Sequence, residues 1–228
     1  MIRNLMRSGA IFIFTLPVQA QGIDGGTLGF EYGYNADRHI SQTTLGGSLG
    51  FGLGGLSLQG DLAKRFSNGG PDAFSLGAHV LADVGSTSAV GAFVSYDDLA
   101  GAGEDYKMGV EGKFAASDRL GVEAYLMRVN RSAGRSDFGA LGLDASFGLS
   151  ESSAINAGFF RAGGGTGLTR YSLGVGYDLS PTVRLNLDAA RLMSDNDRDS
   201  VFGVSLGYTF GNGATFSQRD YPHLLPGF

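Results

Sequence analysis

The sequence predicts an all-β protein, a transmembrane antiparallel up-and-down β-barrel of about 12 strands. Three observations carry this: polarity that alternates at every second residue, an even number of alternating segments, and connections that switch between short turns and longer polar stretches. Strand side chains point to opposite sheet faces with a period of two, so each segment has one apolar and one polar face. Residues 169–192, TRYSLGVGYDLSPTVRLNLDAARL, display it. Tyr171, Leu173, Val175, Tyr177 and Leu179 interleave with Arg170, Ser172, Gly174, Gly176 and Asp178, and the alternation resumes after Ser180-Pro181-Thr182. A soluble sheet would bury the apolar face, whereas a membrane barrel turns it to lipid and encloses the polar one.

Bulk composition favours the second arrangement. The N-terminal MIRNLMRSGAIFIFTLPVQA combines Arg3 and Arg7, a short apolar run over 10–16 and small residues before position 21, the pattern of a secretory signal peptide. The expected organisation is a signal peptide over 1–20, an outer-membrane β-barrel over 21–210 and a C-terminal periplasmic tail over 211–228. No stretch approaches the roughly 18 apolar residues of a membrane helix, so a membrane span must be β. Charged residues make up 17% of the chain, against roughly a quarter in soluble domains. Cysteine is absent, which excludes disulfides and thiolate metal sites. The formal charge of −5 gives no footprint for nucleic acid.

The alternation places strands near 27–34, 44–53, 56–66, 74–84, 89–96, 106–114, 120–128, 139–147, 154–161, 170–179, 183–191 and 201–210. A ten-residue strand rising ~3.3 Å per residue and tilted about 45° climbs ~23 Å, close to the ~25 Å apolar band of such barrels. The segments 35–43, 67–73, 97–105, 129–138, 162–169 and 192–200 are expected as the longer, outer loops. With the strands so directed, Tyr34, Phe66, Phe74, Tyr96, Tyr106, Tyr171 and Phe202 form one aromatic girdle. Phe51, Phe114, Phe147, Tyr177, Tyr208 and Phe210 form the other. Amphipathic rings gather at the two lipid–water boundaries.

Charges follow the same logic. On the apolar face, Lys64, Arg128, Arg161 and Arg191 all sit at outer strand ends, level with lipid headgroups, where they are expected to contact lipopolysaccharide phosphates. The polar face presents Glu31, Asp61, Asp83, Glu111, Glu123, Asp144, Asp178 and Asp188 against Arg65, Lys107, Lys113, Arg170 and Arg184. Unpaired buried charge is costly, so such a lumen must be hydrated or densely ion-paired. Barrels of about eight strands are filled by side chains and those of 16 to 18 hold channels, so twelve allow a narrow pore.

The signal peptide, the alternating strands and the last of them, VFGVSLGYTF, resemble the Gram-negative outer-membrane porins and their small relatives. Gly203, Leu206, Tyr208 and Phe210 look like that family's closing β-signal, which implies the barrel-assembly machinery as a partner. The resemblance implies a bacterial outer-membrane channel passing small hydrophilic solutes among outer-membrane lipids and lipopolysaccharide, without a cofactor. The chain departs from the family's pattern in a short acidic third loop and in GNGATFSQRDYPHLLPGF after the final aromatic, either a periplasmic tail or a partial plug.

Other motifs are weaker. Gly50 to Gly55 matches G-x-G-x-x-G but runs into a second strand, so no helix N-terminus is available for a pyrophosphate. The glycines over 163–167 lack the Lys-Ser/Thr pair of a phosphate loop. Asp195, Asp197 and Asp199 lack the glycine and glutamate of a calcium loop. His39 with Ser41 hints at a lipid hydrolase but lacks an orienting third group, and His79 reads as a lone lumen residue. The expected function is therefore a passive, mildly cation-preferring, non-enzymatic channel. A non-conducting structural or adhesive barrel is the second reading, and an outer-membrane lipid hydrolase the third.

Overall fold

The computed structural model describes residues 22–219 apart from 86, 133, 165, 166 and 196; the expected signal peptide and residues 220–228 lie outside the described residues. Twelve strands follow one another: β1 (Ile23–Asn35), β2 (Ile40–Gly52), β3 (Ser57–Asn68), β4 (Ala73–Val84), β5 (Ser88–Leu99), β6 (Gly103–Ser117), β7 (Leu120–Arg131), β8 (Phe138–Gly148), β9 (Ser153–Ala162), β10 (Thr169–Ser180), β11 (Val183–Met193) and β12 (Arg198–Gly211). Each pairs antiparallel with its sequence neighbours, and β12 pairs with β1 from Gly25↔Gly211 to Asn35↔Val201, closing the barrel. Closure satisfies every ladder and leaves no sheet edge, the condition for a β structure in lipid.

The period-two alternation acquires its meaning here. Leu28, Leu62, Val94, Leu126 and Leu173 point outward and are each more than half exposed. Their partners in the alternation point inward: Asp61, Ser95 and Met127 are buried. Apolar surface costs about 25 cal/mol per Å² in water, so an exterior of this kind requires a bilayer around it. Aromatic rings ring both ends. Tyr34 pairs with Phe202 and Tyr96 with Tyr106, whose centroids are 5.0 Å apart, while Phe66, Phe74 and Tyr171 stand exposed at the same end. Phe51, Phe114, Phe147, Tyr177 and Tyr208 are exposed at the opposite end, with Phe210 stacked on Tyr208.

All twelve expected strands are present, and at the long-loop end each runs one to four residues past its expected bound. The β5–β6 ladder continues to Leu99↔Gly103 and the β1–β2 ladder to Asn35↔Ile40, so the loops expected over 97–105 and 35–43 shrink to 100–102 and 36–39. The expected contrast between long and short connections is largely absorbed into strand. Polarity alternates only where the two faces meet different media, but ladder hydrogen bonds continue beyond that depth.

Beyond β12, where the sequence leaves a periplasmic tail or a partial plug open, the described residues 212–219 turn back toward the lumen. Gly211 and Gly213 adopt positive φ, 57° and 74°, a region open to glycine, and reverse the chain after β12. Asn212 N donates to Asp24 O (2.9 Å), and residues 215–219 enter the barrel, where Phe216 and Arg219 are each only 2% exposed.

Candidate functional site

The interior divides into a packed side and a more open one. On the packed side, β2 to β7 receive residues 215–219. Gln59 on β3 accepts the backbone N–H groups of Thr215 and Phe216 (3.0 and 3.1 Å) and donates to Phe216 O (2.9 Å). Ser217 N donates to Glu123 Oε1 (3.0 Å), and Gln218 Nε2 donates to Gly47 O (2.6 Å) and Ser48 Oγ (3.1 Å). Lys113 Nζ donates to Thr215 O (2.8 Å). Inward side chains thus supply the partners that an unpaired backbone segment needs once it leaves water.

Arg219 bridges two carboxylates, donating from Nε to Glu111 Oε2 (3.0 Å) and from Nη2 to Glu123 Oε1. Its guanidinium carbon lies 4.0 Å from the ring centroid of Tyr125. Glu111 is held from its other side by His79 Nδ1 (2.5 Å), whose Nε2 is 2.7 Å from Asp61 Oδ2. His79 is therefore not the lone lumen residue that the sequence suggests. The register Gln59↔His79 places Asp61 on the neighbouring β3, two residues on, whereas Glu111 reaches it from β6, one strand beyond β5. Phe216 stacks nearly parallel on the His79 ring, 8° between planes and 6.3 Å between centroids. Nearer the long-loop end, Lys107 is ion-paired with Asp97, which also accepts from Ser75 Oγ (2.6 Å), and Arg65 Nη2 donates to Pro71 O (3.0 Å).

An apolar collar narrows the same interior. Phe93, Tyr125, Met127, Val129, Phe160, Leu192 and Val201 are buried together. Phe93 stands opposite Gly109 and Tyr125 opposite Gly142, and a Cβ at either glycine would collide with the facing ring. The missing side chains let both rings lie back against the wall.

On the other side a cavity of about 430 Å³ remains. Glu31, Asp144, Arg170 and Asp188 line it, together with the Glu123–Arg219 pair. Arg170 Nε is buried without a hydrogen-bond partner among the described residues. Arg184 pairs with Asp178 (3.0 Å), and Asp83 lines a second cavity of about 400 Å³ at the short-turn mouth, with Asp24 and Asn212.

The rim cations lie outside the barrel wall. Lys64 sits 5.7 Å from the Phe66 ring centroid, Arg161 is exposed, Arg128 reaches Asp137 (3.3 Å), and Arg191 reaches Asp37 (3.6 Å) and Ser200. Of the weaker motifs, His39 Nδ1 bonds Tyr34 Oη (2.9 Å), and Asp197 and Asp199 bind Arg38 (3.4 and 2.7 Å).

Sequence reasoning passed over Tyr125, Phe93, Phe216 and Arg219. The first two were findable, since the phase that turns Glu123 and Asp97 inward also turns Tyr125 and Phe93 inward. Phe216 and Arg219 lie beyond the last strand, where no periodicity orients a side chain.

No family model matches the chain, and no curated protein sequence matches it. Solved structures do. The KdgM porin in complex with disordered oligogalacturonate is similar over 81% of this chain and 99% of its own, with a TM-score of 0.65 and 10% identity. The NanC porin is similar over 80% and 100% at a TM-score of 0.65 and 11% identity. The COG4313 outer membrane channel from Pseudomonas putida F1 is similar over 83% and 96% at a TM-score of 0.63 and 12% identity. The chain has the fold of these porin-like outer-membrane barrels, and the neighbours are channels rather than enzymes.

Proposed function

We propose that the protein is a bacterial outer-membrane channel for passive diffusion of small hydrophilic solutes, with a lumen that prefers cations. The single observation that carries this reading is the cavity of about 430 Å³ inside a closed barrel with an apolar exterior, lined by Glu31, Glu123, Asp144 and Asp188 against Lys113, Arg170 and Arg219. Acidic walls of low dielectric focus a negative potential and raise the local concentration of cations. Solute passes between the C-terminal segment and the β8–β12 wall. Planar-bilayer recording tests this: discrete conductance steps with a cation-selective reversal potential are expected, and Asp144→Asn with Asp188→Asn moves that potential toward zero. Silence at all voltages overturns the channel.

The second reading, a non-conducting structural barrel, draws support from the buried contacts of residues 215–219 and from the apolar collar. The same recording separates the two. At the rim, Lys64, Arg128, Arg161 and Arg191 stand where lipopolysaccharide phosphates would meet them. Replacing all four with Gln is expected to loosen co-purifying lipopolysaccharide, and unchanged retention would refute that role. The closing strand, with Leu206 and Tyr208 outward, offers the barrel-assembly machinery its signal.

A further inference from the structure

Arg219 is held as a bound ligand would be. Two carboxylates accept its guanidinium, Tyr125 stacks beneath it at 4.0 Å, and the Phe93 ring lies 6.0 Å away. Glu111, Glu123, Tyr125 and Phe93 all project from β5, β6 and β7, so the barrel ladders fix their spacing whatever the C-terminal segment does. Glu111 is oriented further by His79, itself anchored on Asp61. The occupant is built differently. Residues 212–219 form no strand pairing and join β12 through the Gly211 and Gly213 turn. The cavity beside them borders Glu123, Tyr125 and Arg219, which gives a solute access to the pair from the open side of the lumen.

We propose that Glu111, Glu123 and Tyr125 form a binding site for free guanidinium-bearing cations, for which Arg219 is the tethered occupant, so that such a solute displaces the C-terminal segment and widens the path. This rests on the channel reading. A planar guanidinium suits the site because its fork of donors serves two carboxylates while its face lies on an aromatic ring; a lysine ammonium would serve the carboxylates and lose the stacking. A short flexible tether would hold its occupant at an effective concentration of roughly millimolar, and the hydrogen bonds from Gln59, Glu123 and Lys113 to this one raise that figure, so a solute at or above that range competes with it.

The test is calorimetric titration of argininamide into the detergent-solubilised full chain. Arg219→Gln removes the tethered competitor, and its affinity for argininamide is expected to exceed the wild type's by about tenfold, a typical scale for one charge-assisted contact. Adding Glu123→Gln to that variant returns the affinity to the wild-type level or below, and lysinamide binds more weakly throughout. In the unaltered chain, saturating argininamide accelerates hydrogen exchange at the amides of Thr215, Phe216 and Ser217, which requires no variant to fold. Equal affinities of wild type and Arg219→Gln, or unchanged exchange under argininamide, overturn the proposal. Bilayer recording separates the two readings: binding without conductance sinks the channel alone, and conductance without binding sinks the site alone.

Discussion

Tyr125 on β7 stands directly opposite Gly142 on β8, and its ring occupies the volume in which any Cβ at position 142 would lie. One absent methyl group thus decides how far an aromatic ring stands out into the lumen, and with it the position of the surface on which Arg219 rests. Gly142→Ala is expected to push Tyr125 off the wall. Overpacking of this kind costs about 1–3 kcal/mol, and urea unfolding in micelles reads it. The same variant lowers single-channel conductance, because the displaced ring moves into the passage. Unchanged stability and conductance would show that the ring has another place to go.

His79 carries a heavier electrostatic duty than its neighbours. It separates Asp61 from Glu111, and both carboxylates are buried with it. Replacing it with Leu takes one donor from each acid, leaving Asp61 only Gln59 Nε2 (3.0 Å) and Glu111 only Arg219 Nε (3.0 Å) among the described residues, and breaking a buried charged pair costs ~3–5 kcal/mol. His79→Leu is therefore expected to lose well over half of the effect on adding Asp61→Asn and Glu111→Gln, which remove the stranded charges. Urea midpoints of the single and triple variants check this, and equal midpoints would mean that the acids are not stranded.

Much of this was legible beforehand. The period-two alternation specified twelve strands and their faces, because a bilayer outside and polar groups inside impose opposite demands on successive residues. Strand ends were not legible, since beyond the bilayer both faces meet water and the pattern fades while pairing goes on, as between Leu99 and Gly103. Glu111 and Glu123 were assigned to the interior by their phase, yet their shared partner Arg219 sits more than 90 residues away in sequence, in a segment without periodicity. Such a contact depends on the closed wall and cannot be read from local spacing.

The exterior makes its own prediction. Leu126 lies midway along β7 on the outward face and is 59% exposed, whereas Met127, the next residue, is buried inside. Arginine on the lipid face near the midplane of a barrel costs about 2–4 kcal/mol. Leu126→Arg should show that penalty in vesicles and much less of it in water-rich mixed micelles. A mutational cost that is the same in both media would mean that position 126 does not face hydrocarbon.

At the long-loop rim, pH provides the last test. Asp37 accepts the backbone N–H of Ser200 (2.6 Å), and this hydrogen bond, reinforced by Arg191 at 3.6 Å, holds its carboxyl below the usual 3.8. A depressed folded value means that the contact contributes fully above the ordinary carboxylate range and is lost as pH falls through the lower folded value. Hydrogen exchange at the Ser200 amide should therefore retain its protection through mildly acid solution and lose it only below pH 3.8, once the intrinsic pH dependence of exchange is divided out. Asp37→Asn removes the titration, leaving protection at Ser200 flat across the same range. Protection that fades in the wild type well above 3.8 would mean that the carboxyl is not stabilised by this amide, and that β12 and the β1–β2 loop are joined at the rim by other contacts.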